Sequence, residues 1–265
     1  EFLIMQNNLV ILTLGDVAGQ VALEYVCSKL RKLKLMYGAD VVIVNGENAS
    51  KSGGLDGEDA KKLLNAGADV ITGGNHTLRG RRIAEAMEDH PEIIRPLNFQ
   101  EVCPGNGYVL IKVKNGIRLL VINVAGQVYM DPADSPFNCT DRVLKATEYD
   151  ICVADFHGEA TSEKAAYARY FDGRINFTFG THTHVQTADE TYLPKGSGFI
   201  TDLGMCGPID SILGTDPDVV INRMVKRELA PFTKATGKVK ICGAAVTVNL
   251  DTGYVTDIKR IQFQE

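Results

Sequence analysis

Seven side chains able to ligate a metal ion stand at separate stations along the chain: Asp16, Glu47, Asn48, Asn75, His157, His182 and His184. Every donor is oxygen or imidazole nitrogen and none is thiolate, which disfavours a structural zinc knot and suits first-row ions in open coordination, with iron or manganese favoured and zinc a further candidate. Seven donors are too many for one four-coordinate ion, but they serve two ions if one carboxylate bridges. A binuclear centre of this kind, with two carboxylates and a bridging hydroxide, would carry a net charge of about +1 and attract a phosphate ester. In an extended segment, His182 and His184 would point to the same side, as a metal needs. Each motif has an ordinary reading when taken alone: Gly15-Asp16 as a capped turn, Asn45 to Asn48 as a turn, Gly73-Gly74-Asn75 as a loop, and a lone His157 as a structural histidine. Their joint position is what argues for chemistry.

That position follows from the elements around them. Leu9 to Leu14 is an apolar run of the length and branching of a strand buried on both faces. Val26, Leu30, Leu33 and Tyr37 then place one apolar stripe on a helix that stops at Gly38. Residues 40–44 and 68–72 read as strands, 56–66 as a helix, and 80–87 as a polar helix. Strand and helix in alternation mean parallel βα units. The runs 107–113 and 117–124, joined by Lys114-Asn115-Gly116, read as a hairpin, so part of the sheet structure is antiparallel. Strands at 151–154 and 175–179 with helices near 139–147 and 161–171 resume the βα rhythm, and the tail reads as strands at 196–201, 239–250 and 254–263. All seven donors fall just past the carboxyl ends of expected strands, the edge where ligands bind in open α/β sheets. Four of the five histidines belong to this neighbourhood, and only His90 stands outside it.

Composition bounds the remaining possibilities. With 265 residues, 45% of them hydrophobic and 23% charged, the chain is long enough to bury a sizeable core and is neither disordered nor collagen-like. No internal repeat or linker divides it, and a single domain over 1–265 is expected, with residues 1–4 ahead of Met5 read as foreign to a natural start. The 28 basic and 33 acidic residues leave a net charge of −5, which does not suit duplex DNA as a partner. No apolar run reaches the length of a membrane span and no leader opens the chain, so no membrane partner is expected. The six scattered cysteines contain no C-x-x-C pair, so reduced thiols and a cytoplasmic location are expected.

Gly15-Asp16, Asn45-Gly46-Glu47-Asn48-Ala49, Gly74-Asn75-His76-Thr77, the run His157 to Lys164, the run Gly180 to Asp189 and the run Thr201 to Pro208 together resemble the bacterial YmdB-like branch of the calcineurin-like metallophosphoesterases. The resemblance spans nearly the whole chain. It implies an α/β fold of the metallophosphoesterase type, a four-layer α/β/β/α sandwich with two mixed sheets. It further implies that Asp16, Glu47, Asn48 and His184 hold one divalent ion, that Glu47, Asn75, His157 and His182 hold the other, and that Glu47 bridges. His76 is the proton donor by the same resemblance, in a phosphodiesterase whose metal-bridging hydroxide attacks phosphate diesters, above all 2′,3′-cyclic nucleotides.

Thr181, Thr183, Gln186, Thr187 and Asp189 are candidates to orient the imidazoles by hydrogen bonds. The chain departs from the family pattern at Leu78-Arg79, where Trp-Asp is usual, at Gln20 to Leu23, where Lys-Pro-Gly-Arg is usual, and at Cys206, where Thr is common. These departures bear on substrate preference and remove no metal donor. Small phosphodiesters, cyclic nucleotides and short RNA are the ligand classes, and a homo-oligomer is left open. The alternatives are a metal-dependent nucleotide-binding regulator with little turnover and a two-metal amide or ester hydrolase.

Overall fold

The structure, a computed structural model, describes residues 7–265, and the expected foreign residues 1–4 lie outside them. In chain order the elements are β1 (Asn8–Leu14), β2 (Asp16–Val17), α1 (Gln20–Met36), β3 (Val41–Asn45), α2 (Gly57–Ala66), β4 (Val70–Thr72), α3 (Ile83–Asp89), β5 (Tyr108–Lys112), β6 (Arg118–Ala125), α4 (Pro136–Ala146), β7 (Ile151–His157), α5 (Thr161–Tyr170), β8 (Phe177–Thr181), β9 (Thr191–Tyr192), β10 (Gly198–Ile200), β11 (Met205–Pro208), α6 (Pro217–Lys226), β12 (Val239–Asn249) and β13 (Val255–Phe263).

Two mixed sheets result. One runs β2-β11-β12-β1-β3-β4, with β13 also on β12, and the other runs β5-β6-β7-β8-β10-β9. Strand alternation builds the layers, because successive side chains leave opposite faces. Leu9 and Ile11 of β1, Val41 and Ile43 of β3, and Leu119 and Val121 of β6 share one buried cluster between the sheets. Their neighbours Leu12, Leu14, Val42 and Val44 face outward, against Val26, Leu30 and Leu33 of α1 and Leu63 of α2. On the far side, Leu120 and Ile122 of β6 and Cys152 and Ala154 of β7 pack against Val143 of α4 and Tyr167 of α5. The order is helix, sheet, sheet, helix, the four-layer sandwich that the family resemblance implies.

The expected hairpin is present as β5 and β6, antiparallel, with Asn115 at φ 58° and Gly116 at φ 78° in the turn. Gly38, at φ 60°, ends α1 as expected. The expected helix at 80–87 starts late: a 3-10 turn covers Thr77–Arg79 ahead of it, and α3 begins only after Arg82, whose backbone at φ 56° is not helical. β11 has no counterpart among the expected elements. All six cysteines are free. Among the described residues, no helix is long and apolar enough to cross a membrane.

Candidate metal centre

The strand ends deliver the seven donors to one place. Asp16 lies in β2, which pairs with β11 so that Met205 stands opposite Asp16, and the Asp16 amide donates to Gly204 O at 3.2 Å. A Cβ on Gly15 would lie 1.9 Å from the same carbonyl, so only glycine lets the two chains approach this closely. Glu47 and Asn48 follow β3, Asn75 and His76 follow β4, His157 is the last residue of β7, and His182 follows β8 directly. β7 is therefore three residues longer than its apolar run suggested. Asp16, Glu47 and His157 are fully buried.

The reason expected for the convergence of His182 and His184 does not hold. The segment is a bend rather than a strand, with His182 at φ 98° and His184 at φ 65°, a region that residues with a Cβ rarely adopt. The bend is held by side chains: the His182 amide donates to Asp16 Oδ2 at 3.0 Å, and the Thr183 amide to Asp202 Oδ2 at 3.2 Å. Asp202 is itself fixed by Lys164 at 2.8 Å in an ion pair with no solvent exposure. The two rings consequently go to different groups. His182 Nδ1 lies 3.1 Å from His157 Nε2, whereas His184 Nε2 lies 3.6 Å from Asp16 Oδ1 and 3.2 Å from Asn48 Nδ2.

Each of the three rings has one nitrogen occupied from outside the centre. His184 Nδ1 is 3.0 Å from Leu213 O, a carbonyl that only accepts, so Nδ1 carries a proton and Nε2 is turned toward Asp16. His157 Nδ1 is 2.9 Å from Thr181 Oγ1, and that hydroxyl donates to Asp155 Oδ1 at 2.7 Å, so Nδ1 is again the donor. Its Nε2 then meets Asn75 Oδ1 at 3.2 Å and Glu47 Oε1 at 3.7 Å. His182 Nε2 faces Glu159 Oε2 at 3.3 Å, which turns Nδ1 inward.

The inward nitrogens of the three rings thus converge with the carboxylates of Asp16 and Glu47 and the side-chain amides of Asn48 and Asn75, a donor set that suits a cation. The separations suit ligands held about 2.0–2.2 Å from a shared ion. Among the described residues no group of three or more His, Cys, Asp or Glu side chains makes a metal site by itself. Each donor group includes an asparagine, Asn48 in one and Asn75 in the other. The donor chemistry fits a divalent metal ion.

The electrostatics carry the same strain. Burial and then the charge of Asp16 push Glu47 up to about 8, against the bonds it accepts from the His76 amide and the Thr77 hydroxyl. Burial acts to raise Asp16 too, but its bond with His184 and the charges of His184 and His157 outweigh it and hold the carboxyl well below its usual range. His157 is pushed down to about 3, first by burial. His76 is pushed down to about 4 by burial and by the charges of Arg79, His182 and Lys234, with Asp131 acting the other way. His76 Nδ1 stands 3.3 Å from Asn48 Oδ1.

A family model described as "YmdB-like protein" matches residues 12–261. The chain belongs to the YmdB-like family. It is 42% identical over 255 residues to the 2′,3′-cyclic-nucleotide 2′-phosphodiesterase of Bacillus subtilis (strain 168), covering 95% of this chain and 96% of that one. Among solved structures, a hypothetical protein from Thermus thermophilus superposes with a TM-score of 0.89 at 36% identity, covering 97% of this chain and 100% of that one. A protein titled a novel phosphatase, from Mycoplasma pneumoniae, superposes with a TM-score of 0.90 at 33% identity, covering 98% and 95%.

In this YmdB-like chain, only Thr181 of the five residues expected to orient imidazoles is bonded to one. Gln186 Nε2 donates to Gly243 O at 3.0 Å and Ile261 O at 3.1 Å, and Thr187 and Asp189 bond within the Thr201-Asp202 loop. Asp155, Glu159 and the Leu213 carbonyl join the site beyond the residues expected from sequence. Asp155 had a detectable signal, an acid among the apolar residues of β7. Leu213 had none, because a backbone carbonyl carries no side-chain identity. Of the departures from the family pattern, Cys206 is buried against Cys242 O at 3.5 Å, away from solvent.

Proposed function

We propose that this YmdB-like chain is a two-metal phosphodiesterase acting on 2′,3′-cyclic nucleotides. The observation that carries the reading is the convergence of three imidazoles, two carboxylates and two asparagines at strand ends of both sheets. The Bacillus subtilis relative lends support through the reaction in its name. Asp16, Glu47, Asn48 and His184 would hold one cation, and Glu47, Asn75, His157 and His182 the other, with Glu47 shared and iron or manganese the favoured ions. When bound, such a pair supplies Lewis acidity toward phosphoryl oxygens and a water-derived nucleophile at neutral pH.

The chain's own residues do the rest. Arg79 and Lys234 bring positive charge to bear around His76, and an anionic diester is drawn to that side. The His76 side chain is 29% exposed, whereas those of His182, His184 and His157 are 25%, 11% and 0% exposed, so it is the most open of the four rings. It is the group placed to give a proton to the departing ribose oxygen. The negative charge of a bound diester raises the ring from its low value and favours the protonated form. Rupture of the 2′ ester bond then leaves a nucleoside 3′-phosphate and a protonated 2′-oxygen. The chain works as one domain in the cytoplasm, on cyclic nucleotides or the cyclic-phosphate ends of short RNA.

Chelator-treated protein given 2′,3′-cyclic AMP should be inert and should form 3′-AMP once manganese or iron is restored. Tight nucleotide binding without turnover in the metal-loaded protein would contradict the reading.

A further inference from the structure

Beside the centre lies a cavity of about 450 Å³, bounded by Asn75 and Leu78, by Phe99 and Gln100, and by Asp131 and Pro132. It falls in the size range of small-molecule sites. A larger cavity of about 540 Å³ lies around Asp56 and Arg81, where Arg81 pairs with Asp56 at 3.0 Å and Arg82 with Glu58 at 3.7 Å.

Two residues connect the smaller cavity to the chemistry. Asn75 lines it while its Oδ1 faces His157 Nε2 at 3.2 Å. Asp131 lines it at an exposed position, and the charge of its carboxylate acts to raise the His76 ring. The walls formed by Leu78, Phe99 and Pro132 are apolar and suit the faces of a flat heterocycle, while Gln100 and Asp131 suit its hydrogen-bonding edge.

We propose that this cavity holds the nucleoside part of the substrate, with the cyclic phosphate at Asn75 and the base edge at Asp131. The proposal rests on the diesterase reading. A carboxylate is an acceptor only. It pairs with the adjacent N1–H and N2–H donors of guanine, whereas uracil presents a single N–H between two carbonyls that the carboxylate repels. Guanine is therefore the preferred base and uracil the disfavoured one.

The test is steady-state kinetics of the metal-loaded full chain on 2′,3′-cyclic GMP, 2′,3′-cyclic UMP and ethylene phosphate, which is the same five-membered cyclic diester without a nucleoside. Wild type should show kcat/KM about tenfold or more higher for the guanine substrate than for the uracil one. Asp131→Asn should bring that ratio near unity. Phe99→Ala, which removes one apolar wall of the cavity, should raise KM for both nucleotides about tenfold relative to ethylene phosphate, with melting temperature checking the fold of each variant. Diester turnover with no base discrimination and no nucleotide-specific effect of Phe99→Ala would overturn the inference and leave the diesterase reading standing. Failure to hydrolyse any diester would overturn both.

Discussion

His157 and Asp155 are joined through a single hydroxyl: Thr181 Oγ1 stands 2.9 Å from His157 Nδ1 and donates to Asp155 Oδ1 at 2.7 Å. Asp155 also accepts from Thr72 Oγ1 at 2.5 Å and Asn45 Nδ2 at 2.9 Å, so side chains from β3, β4, β7 and β8 together fix one imidazole. Thr181→Val keeps the shape and removes the hydroxyl. Metal affinity should fall by roughly 10–100-fold, read by titration of the apoprotein. Thr183→Val, at a residue whose hydroxyl bonds only near Val185, should leave it unchanged.

Gly74 is confined by the same ring. A Cβ there would meet His157 Nε2 at 2.3 Å, and the fully buried imidazole has little room to move aside. Gly74→Ala should lower kcat by roughly 10²-fold through misplacement of His157, with a cooperative melt retained. Unchanged turnover would show that the ring does not hold the reacting geometry.

His76→Ala should separate substrates by leaving group. The loss should be about 10²–10⁴-fold on a cyclic nucleotide, whose alkoxide needs a proton, and much smaller on a nitrophenyl diester, whose phenolate leaves unaided. Equal losses on both would remove the proton-donor role.

The legible part of the site was the part written in side chains near strand ends. Asp16, Glu47, Asn48, Asn75 and His157 follow or end apolar runs, and local sequence was enough to locate them. The bend at His182 and His184 was not legible, because its backbone depends on Asp16 and Asp202, which are distant in sequence. Of the fold, the βα alternation and the hairpin were read from period and turn residues. β11 escaped because Met205-Cys206-Gly207-Pro208 has neither alternation nor a β-branched residue. α6 did carry a start signal, Asp216 before Pro217, whose side chain accepts from Asp218 N at 2.9 Å. Its exposed Ile221, Met224 and Val225 gave no clean stripe to accompany that signal.

The loop after His76 is clamped by Asp56, which accepts from the Arg81 amide at 2.8 Å and pairs with the Arg81 guanidinium at 3.0 Å. Burial acts to raise this carboxyl, but its bonds with Ser52 and Arg81 outweigh it and hold it below its usual range. A depressed carboxylate contributes stability above its unfolded value, and the contribution is lost as pH falls through the folded one. Asp56→Asn should cost about 1.5–3 kcal/mol at pH 7 in urea unfolding, and the gap to wild type should close at strongly acidic pH. A gap independent of pH would assign the loss to packing.

The most direct measurement is the metal content of protein purified without chelator, taken together with turnover of a cyclic diester. About two equivalents per chain are expected, falling to about one in His184→Ala and in His182→Ala, with activity lost in both and on chelation. Less than one equivalent in the wild type, or turnover indifferent to a chelator, would contradict a centre built on paired cations.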